Sequence, residues 1–272
     1  MFWKELEGIG AYELIHHRIL WSLLFVLLLI RLRNRWADFA GAFRSARQAR
    51  LSLLSGLLLS GNWLIFIWAV HHERVIETSL GYYLVPFIST LLGFAVLRET
   101  ISRRQLAALL LAFAGVCILF LDAGTFPWVG LGLALSFGFY GLLRKQSQLG
   151  SLTGLGVETA LLLPWAVATL LFYQFQGTGA LGRLDVPGHL LLMASGVVTA
   201  VPLLLFATGA RMIPLSTVGI LQFIAPTTSL LLGVFLYKEP FGMVRFGGFV
   251  LIWLGLVLSV VEFMKKAKRP PG

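Results

Sequence analysis

The segments PFISTLLGFAVLRE (86–99) and PTTSLLLGVFLYKE (226–239) decide the architecture of this chain. Pro86, Gly93, Glu99 and Gly115 recur as Pro226, Gly233, Glu239 and Gly255, each displaced by 140 residues. Leu91-Leu92-Gly93 recurs as Leu231-Leu232-Gly233, and Arg98-Glu99 as Lys238-Glu239. Four positions at one offset, in equivalent places on two apolar helix pairs, mark an internal repeat. Moving from one copy to the other crosses five apolar spans, an odd number, so the copies run in opposite directions through a bilayer. Repeats inverted in this way are an architecture of membrane carriers, in which swapping the conformations of the halves alternates access.

Outward from these segments the composition agrees. Of 272 residues, 58% are hydrophobic and 12% charged, against about a quarter charged in soluble domains. Mean hydropathy is +0.86. Nine segments reach the roughly 20 apolar residues that a helix needs to cross a hydrocarbon core. They cover 13–32, 51–71, 76–97, 105–122, 126–144, 152–174, 188–210, 214–237 and 242–263. The alternating pattern of a closed barrel is absent from these continuous runs. The lone Cys117 excludes an intramolecular disulfide and a multi-cysteine metal site, and is read as a packing residue.

The net charge of +10 is distributed as a topology signal and says little about nucleic acid or acidic partners. Arg31, Arg33, Arg35, Arg44, Arg47 and Arg50 follow the first span; alternate loops then carry Arg98, Arg103 and Arg104; Arg144 and Lys145; Arg211; and Lys265, Lys266, Lys268 and Arg269. The other side has only Lys4, Arg74, Arg183, Lys238 and Arg245. This asymmetry places the C-terminus in the cytoplasm and residue 1 outside. The counterpart of the span 126–144 would begin before Met1, so the expectation is a ten-helix, five-plus-five protein with nine spans visible and the first helix largely missing. The first repeat is then 1–122, the inverted second repeat 126–263, and 264–272 a basic cytoplasmic tail.

Several motifs carry a family resemblance. They are Gly61-Asn62-Trp63-Leu64-Ile65-Phe66-Ile67-Trp68-Ala69-Val70, Ser79-Leu80-Gly81-Tyr82-Tyr83, His17-Arg18-Ile19-Leu20-Trp21-Ser22 and Phe137-Gly138-Phe139-Tyr140-Gly141-Leu142-Leu143-Arg144-Lys145. Gly156-Val157-Glu158-Thr159 and Gln222-Phe223-Ile224-Ala225-Pro226 complete the set. Together they resemble the RarD branch of the EamA drug/metabolite transporters, from about residue 3 onward. The resemblance implies a multi-pass, all-α permease of two EamA repeats in the bacterial inner membrane. Such proteins are often labelled as chloramphenicol-sensitivity or resistance permeases, a phenotype label that leaves the substrate open.

Charged groups inside spans cost about 2.5–3.5 kcal/mol on insertion scales and need a reason. Arg18 and Glu158 are two, and the 140-residue shift relates them. The functional reading is a substrate-binding charge, with Glu158 also able to titrate a coupling proton. The bland reading is a snorkelling arginine and a glutamate bonded to a neighbouring helix. Asn62, beside Trp63, shares its repeat position with Pro202, and Tyr82 with Gln222, four residues before Pro86 and Pro226. Positions four apart share a helix face, so these polar groups lie over expected kinks. Carrier sites commonly form at midplane where helices bend, which makes Asn62, Trp63, Tyr82 and Gln222 candidate substrate contacts and Pro86, Pro202 and Pro226 the kinks. The alternatives are interhelical hydrogen bonds for the polar groups and packing for the tryptophans.

Other features carry less. His71-His72-Glu73 reads as a solvated turn rather than a metal site, and Glu99 and Glu239 as caps or gate charges. Gly130, Ala134, Gly138 and Gly132, Ser136 suit close helix packing. No P-loop, His-Glu-x-x-His or Gly-x-Ser-x-Gly occurs, so ATP-driven transport and intramembrane catalysis lack their motifs. The expectation is a secondary carrier and not an enzyme, with a small-molecule substrate, lipid surroundings, a proton or other coupling ion, and no cofactor, metal or nucleic acid. A homodimer stays open, and a channel or scaffold is the competing class.

Overall fold

The computed structural model describes residues 6, 8–72, 74–124, 126, 128–231 and 242–267. Lys4, Glu73, Gly233, Lys238, Glu239, Lys268 and Arg269 therefore lie outside the described residues. Regular structure among the described residues is helical: α1 (Ala11–Leu32), α2 (Trp36–Ala42), α3 (Ala46–His71), α4 (Val75–Ala95), α5 (Arg103–Ala123), α6 (Trp128–Gln146), α7 (Ser151–Phe175), α8 (Val186–Met212), α9 (Leu215–Leu221), α10 (Ile224–Leu231) and α11 (Met243–Ala267). Helix starts are written locally. Ser45 accepts the Gln48 amide to cap α3, and Ser102 and Gln105 exchange bonds as a capping box on α5.

Six of these helices, α1, α3, α5, α7, α8 and α11, are long and apolar enough to cross a membrane. Their outward faces are apolar: Leu110 is 59% exposed and Leu121 81% exposed. Charges such as Arg18 and Glu158 are buried instead. That distribution suits lipid as the surrounding solvent.

The starts of α1, α3, α4 and α5 at Ala11, Ala46, Val75 and Arg103 fall 140 positions before those of α7, α8, α9 and α11 at Ser151, Val186, Leu215 and Met243. One expectation needs correcting. The segment 214–237 was expected as a single span kinked at Pro226, but residues 222–223 form a turn between α9 and α10. Proline has no N–H to give the carbonyl of Gln222 and its ring crowds that carbonyl. Restarting the helix at Ile224 puts Pro226 in a first turn, where no donor is needed. Pro86 and Pro202, by contrast, sit inside the continuous helices α4 and α8. Pro164 inside α7 is a further helix proline, unrecognised from the sequence.

The chain divides into two compact units. The first comprises residues 1–72 and 143–212, the second 73–142 and 213–272. In the first, α1 packs against α7, α8 and α3. Close crossings fall at Gly196, which lies on the backbone of Trp21 and Ser22, and at Gly56, which lies against Glu158 and Leu162. In the second, α5 packs along α11, with Gly115 on the carbonyl of Gly248 and Gly255 on that of Ala108. The 140-residue shift exchanges Gly56 with Gly196, Ser22 with Leu162, Gly115 with Gly255 and Ala108 with Gly248, so each close crossing recurs with its partners swapped.

The stripe of small residues on α6 meets α4, with Gly130 against Gly81 and Gly138 against Ile88. The core of this second unit holds Tyr83, Phe223 and Phe249, with Phe87 packed on it. Ring centroids of Tyr83 and Phe249 are 5.5 Å apart, and those of Phe87 and Phe223 5.7 Å.

Candidate polar site in the first unit

The buried Arg18, Arg144 and Glu158 of this unit fall into two separate groups. Glu158 sits seven residues into α7, where Arg144 Nη1 donates to its Oε1 at 3.1 Å and Ser55 Oγ at 2.5 Å. Arg144 and Glu158 are both 1% exposed. The second guanidinium nitrogen of Arg144 donates to the Gly150 carbonyl at 3.3 Å. Gly154 leaves room for this: a Cβ there would collide with the guanidinium. Arg144 was expected as a loop charge marking the cytoplasmic side, and the structure instead buries it as the counter-ion of Glu158. The signal was a glycine one turn before the glutamate, a gap an arginine can fill.

The neighbouring basic residues are also tied down. Lys145 Nζ donates to the Ala210 carbonyl and Arg211 to that of Ser147, satisfying carbonyls near helix C-termini.

Arg18, seven residues into α1, makes a separate group. Its guanidinium lies 4.3 Å from the centroid of the Trp63 ring, and its Nε donates to Thr199 Oγ1 on α8 at 3.2 Å. A cation over an indole face is worth about 2 kcal/mol or more once desolvated. Asn62, the residue before Trp63, is buried. Ser55 and Trp63, the two α3 contacts, are eight residues apart, which spans about 12 Å of helix. Arg18 and Glu158 are thus separate stations along α3.

A third buried pair lies at the start of α1. Glu13 accepts the Ala180 amide at 2.6 Å, and His17 Nε2 lies 3.7 Å from Glu13 Oε1. In the sequence His17 entered only within the motif that includes Arg18, and residue 13 only as the edge of a span. The spacing of four residues on a buried face was the available signal.

The remaining expected residues belong to the second unit. Gln222 accepts from Ser89 Oγ at 3.4 Å, while its Nε2 has no partner among the described residues. Tyr82 is half-buried on α4, one turn before Pro86. The structure brings Arg18, Trp63 and Asn62 together in one unit, while Tyr82 and Gln222 share the other. Glu99, read as a cap, accepts the backbone N–H groups of Leu215 and Ser216 at 2.7 and 3.0 Å and the Ser216 hydroxyl at 2.8 Å, closing the start of α9. His72 is exposed and stacked on Trp68. No three His, Cys, Asp or Glu side chains among the described residues gather as a metal site.

The model of the EamA-like transporter family matches residues 2–121 and again 127–261. The uncharacterized transporter YojE of Bacillus subtilis (strain 168) is 44% identical over 270 residues, covering 97% of this chain and 89% of that protein. Protein RarD of Escherichia coli (strain K12) is 36% identical over 268 residues, covering 98% and 90%. The chloramphenicol-sensitive protein RarD of Pseudomonas aeruginosa is 29% identical, covering 93% and 86%. A solved crystal structure superposes with a TM-score of 0.68 at 16% identity, covering 93% of this chain and 88% of that one, a likeness of fold.

Proposed function

Because the chain belongs to the EamA-like transporter family, in its RarD branch, we propose that this multi-pass membrane transporter is a secondary carrier that moves a small organic compound by alternating access. The observation that carries the reading is Arg18. A permanent charge, 6% exposed in an apolar helix, lies on the Trp63 ring beside Asn62. An anionic or electron-rich group on a flat organic molecule would find in that arrangement a cation and an aromatic face. Chloramphenicol-like compounds are the first class to test, since one relative's name carries chloramphenicol sensitivity. Tyr82 and Gln222 are secondary candidates for polar contact, and Gln222 keeps an unused donor.

Two repeats, 1–122 and 126–263, run in opposite senses in this reading. The helix starts 140 residues apart and the crossings that recur with swapped partners support it. The Lys and Arg asymmetry favours a cytoplasmic C-terminus in the bacterial inner membrane.

Glu158 is the partner of a buried Arg144, so its replacement strands a charge as well as removing a functional group. Arg18 is therefore the cleaner probe. In reconstituted vesicles screened with a panel that begins with chloramphenicol, Arg18→Ala loses counterflow while its membrane abundance matches wild type, the lost Trp63 and Thr199 contacts lowering only its thermal unfolding. Wild-type counterflow in Arg18→Ala would overturn the assignment.

A further inference from the structure

Buried in the same unit is a titratable pair that neither the substrate group nor the Arg144–Glu158 pair uses. We propose that Glu13 and His17 form a proton-binding site, and that the carrier draws on a proton gradient through it; the coupling half of this rests on the carrier reading above.

His17 is 1% exposed and Glu13 3% exposed, one turn apart on α1. Neither ring nitrogen of His17 has a hydrogen-bond partner among the described residues, although Nε2 stands 3.7 Å from Glu13 Oε1. Orphaned buried polar groups are rare and ask for an explanation. An imidazole with a free nitrogen facing a fixed carboxylate has the form of a vacancy for one proton.

Glu13 cannot turn away from it. Its Oε1 accepts the Ala180 amide, and Arg183 Nη2 lies 3.9 Å from its Oε2. The surrounding titratable and charged groups are His16 and Arg18 beside it on α1, Arg183 in the α7–α8 connection and His189 on α8. Glu158 is poorly placed for the same task, because a guanidinium that stays protonated and a serine hydroxyl already serve its Oε1.

The step balances with water alone. A proton from the aqueous side adds to the lone pair of neutral His17, and the imidazolium N–H then donates to Glu13 Oε1, shortening the gap to hydrogen-bond length. The pair passes from a net charge of −1 to zero. Its hold on the Ala180 amide and on Arg183 weakens with it, so the α7–α8 connection senses the protonation state.

The test follows histidine ring nitrogens by ¹⁵N NMR in protein held in lipid nanodiscs, with His17→Gln identifying the His17 signals among the five histidines. Wild-type His17 passes from neutral ring to imidazolium as the sample is acidified. In Glu13→Gln its proton affinity weakens about tenfold or more, because the facing charge is gone, whereas Glu158→Gln leaves it within about twofold. A His17 that holds one protonation state throughout, or that titrates identically in Glu13→Gln, overturns the site. In vesicles, His17→Gln keeps counterflow of the first compound that wild type exchanges but loses its accumulation under a pH gradient. Accumulation equal to wild type overturns the coupling role. Absence of counterflow in wild type would instead strike the carrier reading, and the titration would still decide the proton site.

Discussion

In the first unit α1, α3, α7 and α8 close over Glu13, His17, Arg18, Arg144 and Glu158, whereas in the second α4, α5, α9 and α11 close over Tyr83, Phe223, Phe249 and small residues. Among the described residues, every buried charged side chain belongs to the first unit. Both units draw helices from both halves of the sequence. The buried charges are therefore divided by unit: α1, α3, α7 and α8, with Arg144 at the end of α6, hold them or their partners. The helices of the second unit supply mainly packing, with Tyr82 and Gln222 as candidate polar contacts. The difference teaches that a charge buried against lipid persists only where neighbouring helices offer partners, and those partners stand on α1, α3, α6, α7 and α8.

Four measurements bear on this contrast. The largest effect belongs to the buried ion pair. Arg144→Ala or Glu158→Gln alone leaves a buried partner uncompensated and lowers unfolding stability by about 3–5 kcal/mol. The double variant Arg144→Met with Glu158→Leu recovers most of that loss. Denaturation in mild detergent reads both, and equal losses in single and double variants would refute the pairing.

Next comes the packing unit. Gly115→Leu drives a side chain into the Gly248 backbone and costs about 1–3 kcal/mol. Counterflow per folded molecule stays near wild type. A selective loss of transport at unchanged stability would mean that the α5–α11 crossing itself takes part in transport.

Glu99→Gln is a smaller change. It trades charge-assisted bonds at the start of α9 for neutral ones and costs about 1–2 kcal/mol. Faster amide exchange at Leu215 and Ser216 is the specific readout, and unchanged exchange would remove Glu99 as the cap of α9.

The exposed Arg35–Asp38 pair sets the floor. With side chains 64% and 52% exposed at 2.9 Å, Asp38→Asn shifts stability by less than about 0.5 kcal/mol. A larger shift would mean that the end of the first unit is far less solvated than its geometry implies.

Much of the fold was legible in the sequence, and the reasons are local. Apolar runs of membrane length specify helices because lipid offers backbone groups no other partner. The 140-residue recurrence shows in the sequence partly because Gly93 and Gly115 lie against neighbouring atoms that leave no room for a Cβ. The turn at Gln222 and Phe223 was misread as a kink, since a proline signals that a helix is disturbed without saying whether it bends or restarts. The candidate site was only half legible. Arg18, Asn62, Trp63 and Glu158 stood out as polar groups in apolar helices, each conspicuous on its own.

Their partners did not stand out. Read alone, the sequence specifies an all-helical membrane chain with charges placed inside apolar helices, because hydropathy and spacing along a helix are properties of neighbouring residues. Tertiary packing was needed to show that Arg144 neutralises Glu158, that Arg18 rests on Trp63 and Thr199, and that Glu13 holds the Ala180 amide. The physical reason is range. Glu13 and Ala180 lie 167 residues apart in the chain and Arg18 and Thr199 181 apart, so these meetings follow from how α1 packs among its neighbours.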